Sequence, residues 1–251
     1  MKKEMYCNNI KVIVCDTYEE LSETAAEIVA AEMKKKPEFV LGLATGSSPV
    51  GLYNKLSEKN KSGELDFEKV RSFNLDEYYP IAPENDQSFR YFMNDNLFNH
   101  INIKMENTAV PDGMAEDTEK FCNDYEAAID AAGGIDLQVL GIGNNGHIGF
   151  NEPCDKFYNN THVVELTENT IEANSRFFES ADLVPKKAIT MGAGTIMKAR
   201  KIVLVANGEK KAQAIYGALC EDVTPYNQAS VLQYHPDVTV VLDKDAAKLF
   251  K

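Results

Sequence analysis

An α/β fold, built as a single doubly wound and mostly parallel sheet with helices on both faces, is what this sequence predicts. Two observations carry the prediction. Short runs of β-branched and aliphatic residues alternate with longer segments of helical apolar spacing almost to the end of the chain. The runs are apolar at nearly every position, as in strands covered on both faces, and such alternation implies parallel pairing through right-handed crossovers. No internal repeat, low-complexity tract or linker breaks the pattern, so one Rossmann-like domain over residues 1–251 is expected.

The elements follow in order. Residues 11–16 form a β-branched run, and residues 18–35 carry Leu21, Ala25, Ile28, Val29 and Met33 at helical spacing. Residues 39–44 read as a strand leading into Thr45-Gly46-Ser47-Ser48-Pro49 and a helix through about residue 58. A third strand spans 70–75, and a helix with Phe89, Tyr91, Phe92 and Phe98 toward the core covers 88–100. After a short strand at 107–110 come a helix at 116–131 and the most apolar strand, 135–142. Residues 151–165 are polar, rich in Asn, Asp and Tyr, and read as an irregular loop. A helix at 167–179, a strand at 188–191, a short helix, a strand at 201–206, a helix at 209–220 and a last strand at 238–242 complete the series.

Charge narrows the partners. The net charge is −13, from 39 acidic and 26 basic residues, which argues against nucleic acid or an anionic membrane surface. An anionic small molecule would need a local pocket of donors. Five cysteines (Cys7, Cys15, Cys122, Cys154, Cys220) form no CxxC pair, and with a polar N-terminal stretch they predict reduced thiols and a cytoplasmic location.

Three stretches carry chemistry. The segment Gly141-Ile-Gly-Asn-Asn-Gly-His-Ile-Gly-Phe-Asn-Glu-Pro153 follows the central strand and delivers Asn145, His147 and Glu152 to one rim. Imidazole suits proton transfer near neutral pH, and a neighbouring carboxylate and amide would orient it. Its Gly-x-Gly-x-x-Gly core is a weak match to a dinucleotide fingerprint, because it lies mid-chain and His147 stands where a helix should begin. A metal site of His147, Glu152 and His162 has no supporting spacing. The segment Phe73-Asn-Leu-Asp-Glu-Tyr78 sets Asp76 and Glu77 at a strand end, where alternation turns only one toward the crevice. That one is either a general base of raised pKa or an ordinary strand-ending acid. Thr45, Gly46, Ser47 and Ser48 precede a helix and suit either an anion site or a plain N-cap. Arg176 and Lys211 are cations that could complete a phosphate cradle or be solvated charges.

Taken together, Leu41–Pro49, Phe73–Tyr78, Gly143–Pro153, Ala173–Phe178 and Gly192–Thr195 make the chain resemble the glucosamine-6-phosphate deaminase (isomerase) family, in family order and over most of its length. The resemblance implies conversion of glucosamine 6-phosphate and water to fructose 6-phosphate and ammonia without an organic cofactor. It implies that Asp76 is the base acting at C2 and C1, that His147 assists ring opening in a relay with Asn145 and Glu152, and that Thr45, Gly46, Ser47, Ser48, Arg176 and Lys211 bind the phosphate. A lid at 151–185 is expected over the site. Many members carry aspartate where this chain has Asn145, which shifts the stabilisation of protonated His147 onto Glu152. His162 and Val164 stand where activated hexameric members have basic ligands for N-acetylglucosamine 6-phosphate, so hyperbolic kinetics are expected. The sequence leaves monomer or homo-oligomer open. Galactosamine-6-phosphate deaminase, 6-phosphogluconolactonase and a non-catalytic sugar-phosphate sensor are the alternatives.

Overall fold

The computed structural model describes residues 2–175, 178 and 183–250. Its main sheet has eight strands: β1 (Lys3–Cys7), β2 (Ile10–Cys15), β3 (Val40–Leu43), β4 (Arg71–Asn74), β6 (Thr108–Ala109), β7 (Leu137–Leu140), β10 (Ile202–Ala206) and β11 (Val238–Asp243). Their spatial order is β1-β2-β11-β10-β7-β3-β4-β6, and every pairing except β1 with β2 is parallel. Among the described residues seven α-helices accompany them: α1 (Tyr18–Met33), α2 (Val50–Lys61), α3 (Phe89–Asn96), α4 (Thr118–Ala131), α5 (Glu168–Asn174), α6 (Ala193–Met197) and α7 (Ala212–Cys220).

Alternation along each strand feeds two cores. Leu41, Leu43, Leu137, Val139, Val203 and Val205 pack beneath α1, α2 and α3 with Leu21, Val29, Leu52 and Met93. Leu140, Ile202, Leu204 and Val240 pack on the other face with Tyr125, Ile129, Ile196 and Ile215. Both faces are covered, which is why the runs are apolar throughout. Helix starts are locally specified. Thr17, Ser88 and Asp117 accept hydrogen bonds from the backbone N–H groups of Glu20, Tyr91 and Lys120 at the first turns of α1, α3 and α4. Among the described residues, no helix is long and apolar enough to cross a membrane.

The structure corrects the sequence reading in four places. β1 is an extra strand, joined to β2 by Asn8 and Asn9 in the left-handed region (φ 46° and 67°). This edge strand is largely exposed, so it needs no apolar run. Cys7 at its end lies beside Cys220 at the end of α7, with Cα atoms 6.2 Å apart. Strand β9 (Lys187–Thr190), expected in the main sheet, instead forms a separate antiparallel sheet with β5 (Asp76–Tyr79) and β8 (His162–Glu165) in the order β5-β9-β8. Its underside buries Tyr78, Ile81, Phe150, Leu166 and Ala188. β8 lies inside the stretch read as irregular loop, where four consecutive residues pair as a strand. Finally, Tyr91 is exposed, whereas Phe98 is buried and Phe89 packs against Tyr78 and Phe150.

Candidate functional site

The chain runs from β3 outward to β4 and β6 on one side, then returns to place β7 and β10 on the other. The switch in direction falls between β3 and β7, and ligands of open α/β sheets bind at such a crevice, beyond the carboxyl ends of the strands. The candidate residues follow four adjacent parallel strands. Thr45–Ser48 follow β3, Asp76 follows β4, Asn145–Glu152 follow β7 and Lys211 follows β10.

The loop after β7 is tightly wound around an imidazole. Gly143 N–H donates to the His147 carbonyl at 2.8 Å, and Gly146 N–H to the Gly143 carbonyl at 3.1 Å. The His147 ring lies so close to Gly143 that a Cβ there would sit 2.4 Å from its atoms. Asn145 bridges the loop in two directions. Its Oδ1 accepts from His147 N–H at 3.3 Å, and its Nδ2 donates to Glu152 Oε2 at 2.8 Å. That same oxygen stands 3.6 Å from His147 Nδ1, an ion-pair separation longer than a hydrogen bond. Glu152 is buried, and burial pushes its pKa up. The net shift is nevertheless downward, because His147, Thr170 and Asn145 all favour the charged carboxylate.

Asp76 opens β5, where the chain leaves the main sheet for the smaller one. Leu75 N–H still bonds Leu43 O at 3.0 Å, and Met191 N–H bonds Leu75 O at 2.7 Å. Its neighbour Glu77 points away and accepts from the N–H groups of Phe89, Arg90 and Tyr78 at 2.8–2.9 Å, so it caps the start of α3. Alternation therefore leaves Asp76 for the crevice. Asp76 Oδ2 lies 3.4 Å from the position a Cβ would take on Gly149, two residues beyond His147. Burial, and secondarily the Glu77 charge, raise the Asp76 pKa to about 8. Glu77 is raised to about 7 by burial despite its backbone donors.

The loop after β3 is pinned from behind. Tyr53 OH donates to Ala44 O at 2.5 Å and accepts from Ala44 N–H at 3.1 Å, and burial together with the Asp76 charge raises its phenol pKa. Tyr18 OH donates to the Ser47 and Ser48 carbonyls and accepts from Gly51 N–H at 2.8 Å. Gly46 takes φ 106°, a conformation open to glycine. Pro49 caps α2 without a side-chain hydrogen bond, so Ser47 and Ser48 are not the N-cap that the sequence allowed. Ser48 Oγ instead donates to Asn207 Oδ1 at 2.7 Å, which ties this loop to the one after β10, four residues before Lys211.

The structure thus brings Thr45, Gly46, Ser47, Ser48, Asp76, Asn145, His147, Glu152 and the Lys211 loop to one end of the sheet. Arg176 lies outside the described residues. Sequence reasoning missed Tyr53, Thr170 and Asn207. The Asn207-Gly208 pair at a strand end was a visible signal for the last, while nothing local marks Tyr53 or Thr170 as neighbours of the site.

Comparison with known proteins agrees with this fold. The profile of the family described as "Glucosamine-6-phosphate isomerases/6-phosphogluconolactonase" matches residues 16–240. The chain is similar to a glucosamine-6-phosphate deaminase of Clostridioides difficile (strain 630), 58% identical over 95% of this chain and 96% of that protein. It is equally similar to one of Thermoanaerobacter pseudethanolicus, 58% identical over 96% of this chain and 95% of the relative. A solved structure of a monomeric glucosamine-6-phosphate deaminase superposes with a TM-score of 0.92 at 46% identity, covering 95% of this chain and 99% of that one. The 6-phosphogluconolactonase of Trypanosoma cruzi shares the fold, with a TM-score of 0.78 at 21% identity over 99% of both chains. The chain belongs to the family of glucosamine-6-phosphate isomerases and 6-phosphogluconolactonases.

Proposed function

We propose that this protein is a glucosamine-6-phosphate deaminase, which converts glucosamine 6-phosphate and water to fructose 6-phosphate and ammonia. The observation that carries the reading is the pairing of a buried Asp76, held in the Gly149 loop's reach, with the His147–Glu152–Asn145 cluster at the same strand ends. Nearly full-length relatives of that activity at 58% identity support it.

In this scheme the imidazole of His147 takes the proton of the anomeric hydroxyl and delivers it to the ring oxygen as the C1–O5 bond breaks, and the Glu152 carboxylate stabilises the imidazolium formed between the two transfers. Asp76, as carboxylate, removes the proton from C2 of the open aldehyde. The resulting enolamine takes that proton back at C1, leaving an iminium at C2 that water hydrolyses to the ketose and ammonia. Thr45, Gly46, Ser47, Ser48 and Lys211, together with Arg176, hold the phosphate. Anchoring a group remote from C1 and C2 turns binding energy into orientation where the chemistry occurs. Residues 151–185 act as the lid, and the reaction belongs in the cytoplasm.

Purified protein incubated with glucosamine 6-phosphate should release ammonia and fructose 6-phosphate in equal amounts. Hydrolysis of 6-phosphogluconolactone without ammonia release would reassign the chain to the lactonase branch. Preference for galactosamine 6-phosphate would keep the mechanism and change the substrate. Tight binding of either sugar phosphate without turnover would make it a sensor.

A further inference from the structure

Thr170 is buried in α5, outside the cluster that the sequence singles out, yet its hydroxyl donates to Glu152 Oε1 in a short hydrogen bond. The other carboxylate oxygen, Oε2, is the one that meets Asn145 and His147. A carboxylate is planar, so holding Oε1 sets the rotation of the group and hence the direction in which Oε2 points. The Thr170 hydroxyl is itself oriented. It accepts from Thr167 Oγ1 at 3.2 Å, and Thr167 is the N-cap of α5 and accepts from Thr170 N–H at 3.3 Å. Threonine in a helix commonly turns its hydroxyl back on its own backbone. Here it is directed across eighteen residues of sequence instead. Among the described residues, His147 is the titratable group facing this carboxylate, and Asn145 and Thr170 are its uncharged donors.

We propose that Thr170 is a positioning residue that couples the seat of helix α5 to the orientation of Glu152 toward His147. The helix follows β8 and belongs to the segment expected to close over the sugar, so the Thr170 hydroxyl links that segment to the acid/base cluster. Withdrawal of α5 would remove the Oε1 donor and free the carboxylate to rotate away from the imidazole. The site would then be competent when the helix is seated. In its kinetic consequence the assignment rests on the deaminase reading.

The test compares Thr170→Val, which keeps the shape and removes the hydroxyl, with Thr170→Ser, which keeps the hydroxyl. The carbon-13 carboxyl titration of Glu152, assigned with Glu152→Gln, should shift to higher pH in Thr170→Val and stay near the parent position in Thr170→Ser. In turnover of glucosamine 6-phosphate, kcat of Thr170→Val should fall roughly tenfold with KM nearly unchanged, the loss of one hydrogen bond to a charged group. Thr170→Ser should retain kcat. Thr170→Ala carries the same readings if the valine methyl prevents folding. An unchanged Glu152 titration in folded Thr170→Val or Thr170→Ala would overturn the assignment. Wild-type protein that released no ammonia would sink the deaminase reading, while the carboxyl titration would still decide on Thr170.

Discussion

Burial gives Asp76 two opposed consequences. A carboxyl group with a pKa near 8 is a strong enough base to take a carbon-bound proton, yet it is charged in only part of the protein at neutral pH. In the free enzyme kcat/KM should therefore rise with pH up to about 8, and a profile flat from pH 6 to 9 would remove Asp76 as the base. Asp76→Asn should lower kcat by on the order of a thousandfold while leaving KM within a few-fold, because the phosphate contacts remain. The same substitution should alter stability in a pH-dependent way. The folded pKa lies above the unfolded value of 3.8, so the folded state binds the proton more tightly and stability falls as pH rises from about 4 to about 8. At pH 9 Asp76→Asn should melt several degrees above the parent protein, and at pH 4 the two should melt together. Equal melting temperatures at pH 9 would show that the native environment tolerates the charge. Activity and stability are opposed at this one side chain.

The loop after β7 was the most legible part of the chain, because glycine spacing and the His147, Glu152 and Asn145 types are written into thirteen consecutive residues. Its tightness has a measurable outcome. Gly143→Ala should displace the His147 ring, since the new methyl group would occupy the space of the imidazole. A large fall in kcat with little change in far-ultraviolet circular dichroism is the expected result, and near-normal kcat would mean that the ring has room to move. The strands and helices flanking this loop were also readable, since period and apolar runs report burial directly. Boundaries moved by a few residues, and three features escaped. β1 was invisible because an exposed edge strand carries no apolar signature. β5 was hidden because β4 and β5 are separated by Leu75 alone, so one continuous apolar-to-acidic run changes sheets without a turn. The partners of Glu152 were split for another reason. Asn145 lies seven residues from it and was legible, whereas Thr170 meets it through a tertiary fold of the segment read as loop. Contacts between distant segments leave no trace in local pattern.

The molecule as a whole predicts simple saturation. His162 stands where the family resemblance implies a basic effector ligand, but its ring is stacked on Tyr158 at 4.0 Å with Nδ1 3.0 Å from Asn160 O. Burial, reinforced by Lys156, depresses its pKa, so it offers little positive charge to a sugar phosphate at neutral pH. Initial rates should follow a hyperbola with a Hill coefficient of about 1 and should not respond to N-acetylglucosamine 6-phosphate. Sigmoidal rates relieved by that compound would contradict this. The small β5-β9-β8 sheet carries a last implication. Asp76, Thr190 and His162 are direct partners across it, and Thr190 Oγ1 also receives the Phe150 N–H of the imidazole loop at 3.0 Å. One rung of this ladder thus spans the base, the loop bearing the imidazole and the first residue of β8. Because neighbouring rungs are spaced by roughly 3.3 Å, deleting a single residue from β9 would carry the carboxylate out of reach of any sugar carbon held by the β3 loop. The ribbon works as a gauge block, and its length is under the same constraint as the chemistry.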